Sequence, residues 1–593
     1  MLLAASPLLT DAAPTADAAG QGILTPPKGH GHDHGHHGPK PAKGTKGGVA
    51  SEAALCSDIG ADIIKKGGNA ADAMVATTLC VGTVGMYHSG IGGGSFILVR
   101  DEDGNYEAIN AREMAPAAAH KDMYKDDPTA STLGGLAVGV PGELKGLEYL
   151  HDKYGSLPWK TVVMPSVKLA RHGFVVNEDL VRYMESATSG NNFLVEDPIW
   201  AEVFAPKGKL LQLGDRIYRK RYAKTLETIA RKGADGLYKG KIAKSLAKFI
   251  QSKGGIMTAQ DLANYKVEVN EPLTIDYRGY KLFSVPAPSS GAVMLNMLKT
   301  MEQYPSSELL SAANLTNHRF VEAMKFAYGA RQEFGDPRFV PGLDAFQQEM
   351  LSAANAAKIR ARILDHATQP VEAYDPKGVY AAESHGTAHI VAADRSGMTV
   401  SSTTTVNLLF GAKIMSPDTG VILNNEMDDF SQPGRRNSFG YEPSPNNFIA
   451  PGKRPLSSMS PLIVEFAGNG TVYFATGAAG GSRIISSTAQ VAFSVLEGGT
   501  GATAETVGKR DMLYAVSRSR LHHQLMPDQL VVETGFDEAQ YAAFGEKGHN
   551  TTWTPTGPGQ GGQSAVQAVM RLWNGTFEAV GEIRQVNSGG TVV

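Results

Sequence analysis

A threonine follows a glycine in the run Glu383-Ser384-His385-Gly386-Thr387-Ala388-His389-Ile390-Val391. On this stretch alone, Thr387 reads as a β-favouring residue facing solvent at the start of a strand. Its hydroxyl is a poor nucleophile until a base takes the proton. Cleavage of the Gly386–Thr387 bond would change that. The new α-amine, with a pKa of about 8, would sit on the same residue and could act as its base. Glycine at 386 keeps side-chain bulk away from the bond that must break.

Other residues could complete such a site. Thr405 and Asn407 are two apart, so on one strand they share a face. The Thr405 hydroxyl could then orient the nucleophile while Asn407 holds substrate. The segment Asn424-Asn425-Glu426-Met427-Asp428-Asp429-Phe430 packs three carboxylates into four residues. It suits a substrate ammonium; a solvated acidic turn is the plainer alternative, and the alternating ligand spacing of a calcium loop is missing. Pro455-Leu456-Ser457-Ser458-Met459-Ser460-Pro461 offers hydroxyls and N–H groups in a constrained turn suited to a carboxylate. In Gly477-Ala478-Ala479-Gly480-Gly481-Ser482-Arg483, adjacent glycines let two N–H groups converge on a developing oxyanion. Arg112, in Asn110-Ala111-Arg112-Glu113, can pair bidentately with a carboxylate. Gly90-Ile91-Gly92-Gly93-Gly94 precedes a strand pattern, so it reads as close packing and not as a dinucleotide loop. His30, His32, His34, His36 and His37 lie in a glycine-rich leader with no shell to orient a metal, and no cofactor is implied.

These residues need elements to position them. From 49 to about 380 the pattern is mainly helical, with helices expected at 142–153, 159–172, 222–232, 243–253 and 292–302. Strands are expected at 95–99, 273–276 and 281–285. Beyond Thr387 the texture alternates on a period of two. Segments 388–392 and 398–405 form a hairpin about the turn 394–397, followed by strands at 421–423, 462–466 and 472–475 and a helix from about Ser486. Two β-rich layers flanked by helices predict a four-layer α/β/β/α sandwich.

Composition narrows the function classes. The net charge is −3, with no basic block, which argues against a nucleic-acid partner. No apolar run reaches the roughly 18 residues of a membrane span. Residues 1–46 read as a disordered His/Gly/Pro-rich leader, with a short apolar start that resembles a weak secretory signal. The two cysteines, Cys56 and Cys80, lie at similar distances on either side of the helix-breaking pair Gly67-Gly68. They are either buried thiols or, as neighbours in a helix hairpin, a bridge adding roughly 3 kcal/mol. A bridge, together with sequons at Asn314, Asn469, Asn550 and Asn574, would fit an oxidising, secretory route to an extracellular or vacuolar location.

Taken together, the ordered motifs resemble the γ-glutamyltransferases, threonine enzymes of the N-terminal nucleophile hydrolase superfamily. The motifs are Gly67-Gly68-Asn69-Ala70-Ala71-Asp72-Ala73, Ser89–Gly94, Asn110–Glu113, Thr387–His389, Asn424–Ser431, Pro455–Pro461 and Gly480–Ile484. The resemblance runs from Gly47 to the end. It implies a precursor that cuts itself between Gly386 and Thr387 into a large subunit (47–386) and a small catalytic subunit (387–593), which remain together as a heterodimer. It implies that Thr387 attacks a γ-glutamyl amide, such as that of glutathione, and passes the acyl group to water, an amino acid or a dipeptide. Thr405 would orient the hydroxyl, and Gly480 and Gly481 would hold the oxyanion. Arg112, Ser457 and Ser458 would take the α-carboxylate, and Asn407, Glu426 and Asp429 the α-ammonium. Ala388 and the stretch 439–448, including Tyr441 as a possible lid, look like the eukaryotic pattern, in which Cys56 and Cys80 are also paired. Rival readings are a related amidase or acylase, which would lack the zwitterion clamp, and an uncleaved binding homologue, which would lack intact site residues.

Overall fold

The computed structural model describes residues 44–374, 379–380, 386–436, 442–497, 512–556 and 564–593. Residues 1–43 of the leader and Tyr441 lie outside these residues. Two antiparallel sheets organise the chain. The first has seven strands in the order Gly589–Val592, Gly47–Ser51, Ala388–Asp394, Thr399–Thr405, Gly94–Arg100, Tyr106–Ala111 and Glu268–Asn270. The second has six: Phe577–Val580, Ala565–Arg571, Val472–Ala479, Leu462–Phe466, Tyr280–Ser284 and Leu273–Tyr277. Each sheet mixes strands from before and after Gly386, so neither half could complete a sheet alone.

Alternation decides which side chains meet. Along Ala388–Asp394, Ala388, Ile390 and Ala392 join the cluster that also holds Met74, Val75 and Leu79 of the helix Ala70–Val84. Val391 and Ala393 turn the other way, onto Ile463, Ala475 and Val569 of the second sheet. The outer face of that sheet packs Val464 and Phe474 with Met294 and Leu298 of the helix Gly291–Met301 and with Ile485 and Ala489 of the helix Arg483–Glu497. Strands buried on both faces lose the simple polar–apolar alternation, which is why Thr399–Thr405 can be hydroxyl-rich and still wholly buried.

The helix hairpin forms as expected. Helices Ala54–Lys65 and Ala70–Val84 flank Gly67, whose φ of +94° ends the first helix, and Asn69 with Asp72 forms a capping box that starts the second. Cys56 and Cys80 are joined by a disulfide, with Cα atoms 5.4 Å apart. Helices at Glu143–Tyr154, Trp159–His172, Lys220–Lys232 and Gly240–Ser252 match their expected positions within three residues. One expectation fails. Residues 421–423 form no strand; only a single bridge, Met415 to Ile422, is made there, because Gly92 and Gly411 press their backbones against this segment's carbonyls. Among the described residues no helix is long and apolar enough to cross a membrane.

Candidate active site

Thr387 shares the parity of His389 and Val391, so it faces the second sheet. His389 shows what that interior is like. Its Nδ1 is 2.9 Å from Thr403 Oγ1, its ring packs on Gly477, and burial pushes it down to about 3, so it is neutral. Thr405 lies on the same face as Thr403. Its hydroxyl donates to the carbonyl of Gly386 at 2.5 Å and accepts from the Asn407 N–H at 2.8 Å. The Gly386 carbonyl is therefore polarised by this bond. Gly386 is required by geometry: it has φ +154°, and a Cβ there would lie 2.0 Å from the Asn407 carbonyl oxygen.

Asn407 reaches the site by another route than the expected one. The strand ends at Thr405, and Asn407 lies beyond it in the left-handed region, φ +71°. A shared strand face therefore does not place it. Instead its Nδ2 donates to the Asn425 carbonyl at 3.0 Å, and its Oδ1 is buried with no donor among the described residues. This links the Gly386 carbonyl to the acidic segment through one continuous set of hydrogen bonds.

The acidic segment is not a solvated turn. Glu426–Asp429 forms a 3₁₀ turn in which residues three apart eclipse, so Glu426 and Asp429 point the same way. Both are buried and both bond the Arg112 guanidinium. Asp428 turns away to Ser131 Oγ at 2.6 Å. Arg112 also donates to the carbonyls of Pro455 (3.3 Å) and Leu456 (3.1 Å). Glu113 is buried 3.7 Å from the same guanidinium. Burial pushes Glu113 up to about 7 against the pull of Arg112, and burial raises Glu426 well above the carboxylate range. Burial works to lower Arg112, but Glu426, Asp429 and Glu113 together hold it above its ordinary value. One cation thus faces three acids, and Glu426 Oε2 and Asp429 Oδ1 still lack a donor among the described residues. Such a pocket favours an added cation bearing several N–H groups.

Next to it, Ser458 Oγ accepts from Arg331 Nη2 at 3.0 Å, which leaves its proton free to donate, and Ser457 Oγ accepts from the Met459 N–H at 3.2 Å. Sequence reasoning gave Glu113 no role and missed Arg331. Glu113 was signalled by its adjacency to Arg112; Arg331, at the end of the helix Ala313–Arg331, carries no local signal.

Gly480 and Gly481 follow the strand Val472–Ala479 with φ +123° and +61°, and among the described residues no carbonyl takes either N–H. Thr387, Gly386 and Gly480 line one cavity of about 210 Å³. Arg112, Glu426, Asp429, Ser457 and Ser458 are not on its wall; Arg112 closes on Glu426 and Asp429, and Ser458 pairs with Arg331. The run Gly92-Gly93 is fixed by packing, since a Cβ on either would strike the carbonyl of Ile422 or Thr405 at about 2 Å.

Known proteins resemble this chain over most of its length. The family described as Gamma-glutamyltranspeptidase matches residues 56–592. A glutathione hydrolase proenzyme of Arthroderma benhamiae is 48% identical over 561 residues, covering 93% of each chain. A glutathione hydrolase of Aspergillus flavus is 44% identical, covering 92% of this chain and 89% of its own. A cephalosporin acylase from Bacillus halodurans superposes with a TM-score of 0.80 over 96% of this chain and 99% of its own, at 24% identity, which shows a shared fold alone. The chain belongs to the gamma-glutamyltranspeptidase family.

Proposed function

We propose that the γ-glutamyl transfer and hydrolysis of this enzyme run through Thr387, exposed as a new N-terminus by self-cleavage after Gly386. Supporting this most directly is the bond from Thr405 Oγ1 to the Gly386 carbonyl, which polarises that one peptide. The word proenzyme in the relative's name agrees with it. Once free, the Thr387 amine takes the hydroxyl proton and Oγ attacks the γ-carbonyl of glutathione or another γ-glutamyl compound. The Gly480 and Gly481 N–H groups receive the oxyanion; such a donor is typically worth about 10²–10³ in rate. The amine then protonates the departing amide nitrogen. Water, an amino acid or a dipeptide resolves the γ-glutamyl-threonine ester.

Substrate recognition follows from the excess of acid over base. The α-ammonium takes the orphaned oxygens of Glu426, Asp429 and Asn407, and the α-carboxylate takes Arg112, Ser457 and Ser458. Insertion of the zwitterion opens the Arg112 cluster. An acylase with a plain acyl pocket would have no use for this arrangement. The subunits are residues 47–386 and 387–593 behind the leader 1–46. Helices on the outer face of each sheet support the four-layer α/β/β/α order. The disulfide and four sequon asparagines exposed at the surface support the secretory route. The test is a Thr387→Ala variant read on a denaturing gel and in a γ-glutamyl-anilide assay with and without a dipeptide acceptor. It should stay one polypeptide with no activity; a processed, active variant would end the mechanism.

A further inference from the structure

Self-cleavage needs something that turnover does not. Before the Gly386–Thr387 bond breaks, the threonine nitrogen is an amide with no basic lone pair, so the base must come from elsewhere. The cavity holding Gly386 and Thr387 has one candidate on its wall, His88. His88 Nδ1 lies 2.8 Å from Glu52 Oε2, and both side chains are buried. Glu52 fixes Nδ1 as the N–H, leaving the Nε2 lone pair as the proton acceptor, with no partner among the described residues. Ring rotation is blocked by Tyr87 at 4.6 Å and Tyr183 at 4.4 Å, both edge-on. The His88 carbonyl accepts from the Val406 N–H at 2.9 Å, one residue after Thr405, which holds the scissile carbonyl. The imidazole and the carbonyl holder therefore share one rigid frame. Of the two arginines on this wall, Arg584 pairs with Glu533 and Glu582, and Arg182 pairs through Nη2 with Asp179 at 3.0 Å while its Nε and Nη1 have no partner among the described residues. At about 30 Å³ per water the cavity has room for several molecules.

We propose that His88, oriented by Glu52, is the proton relay for self-cleavage, acting through water in this cavity. The inference rests on the self-processing reading above. The Thr387 Oγ proton passes by water to His88 Nε2 as Oγ bonds to the Gly386 carbonyl carbon, whose oxygen stays on Thr405. Imidazolium then returns the proton to the Thr387 nitrogen as the C–N bond breaks, giving an ester and a free amine. Water hydrolyses the ester, leaving the Gly386 carboxylate and the Thr387 hydroxyl.

The experiment follows conversion of the full-length precursor on denaturing gels, with melting temperature as a folding control. His88→Gln should slow it by about 100-fold or more, and Glu52→Gln by about 10-fold. Added imidazole should partly restore His88→Ala, a response that a merely structural role would not give. Wild-type rates in both His88→Gln and Glu52→Gln, with Thr387→Ala intact, would overturn the relay. Cleavage of Thr387→Ala would instead overturn the self-processing reading beneath it.

Discussion

Replacing Gly386 with alanine tests the geometry of the proposed cleavage site most directly. The added Cβ would start 2.0 Å from the Asn407 carbonyl oxygen, about 1 Å inside the closest approach that real Cβ atoms make. That contact is backbone, so no side-chain rotation relieves it, and the φ of +154° adds strain for any L side chain. The 386 peptide must move by about 1 Å. The bond from Thr405 Oγ1, now 2.5 Å, would stretch to about 3.5 Å and cease to be a hydrogen bond. Losing one donor to a developing oxyanion costs about 2.7–4 kcal/mol, or about 10²–10³ in rate. Self-cleavage of Gly386→Ala should therefore slow by that factor. The assay is intact mass of the precursor over time, following release of the 207-residue fragment 387–593. Thr405→Val removes the same donor from the other side and should slow cleavage comparably. Because both changes act through one hydrogen bond, the double variant should be little slower than the slower single one. Wild-type cleavage in Gly386→Ala, or effects that multiply in the double variant, would refute the argument.

Two further outcomes concern the clamp. Asp429→Asn removes one buried carboxylate of the ammonium pole, and truncating one partner of a buried charge pair costs about 2–5 kcal/mol, so kcat/KM for a γ-glutamyl anilide should fall by about 30-fold or more; an unchanged value would place that pole elsewhere. Glu113 titrates at about 7, against an ordinary 4.5, because of burial. The folded chain thus holds this proton more tightly than the unfolded one, and stability present below about pH 4.5 is lost as pH rises through about 7. In the uncut Thr387→Ala background, Glu113→Gln should gain up to about 3 kcal/mol relative to its parent between pH 4.5 and 8, read by urea titration; a pH-independent difference would show that Glu113 is not held protonated.

The sequence by itself determined the family and much of the local structure. Thr387, Arg112, the Glu426–Asp429 run and the paired glycines had plain readings one at a time, and their order along the chain carried the resemblance. Local periodicity placed the hairpin Ala388–Thr405 and the helix pair that brings Cys56 to Cys80, because capping, alternation and turn chemistry act over a few residues. Tertiary structure decided what those residues do in the folded chain. It carried Asn407 off the strand into a left-handed turn, which no period-two argument foresees. It closed Arg112 onto Glu426 and Asp429 from more than 300 positions away, and burial there raised Glu426 well above its ordinary value. It also brought His88, bonded to Glu52 behind it, to the wall that holds Thr387. Burial, carbonyl contacts and charge balance are sums over distant segments, and a sequence states them only once it is folded.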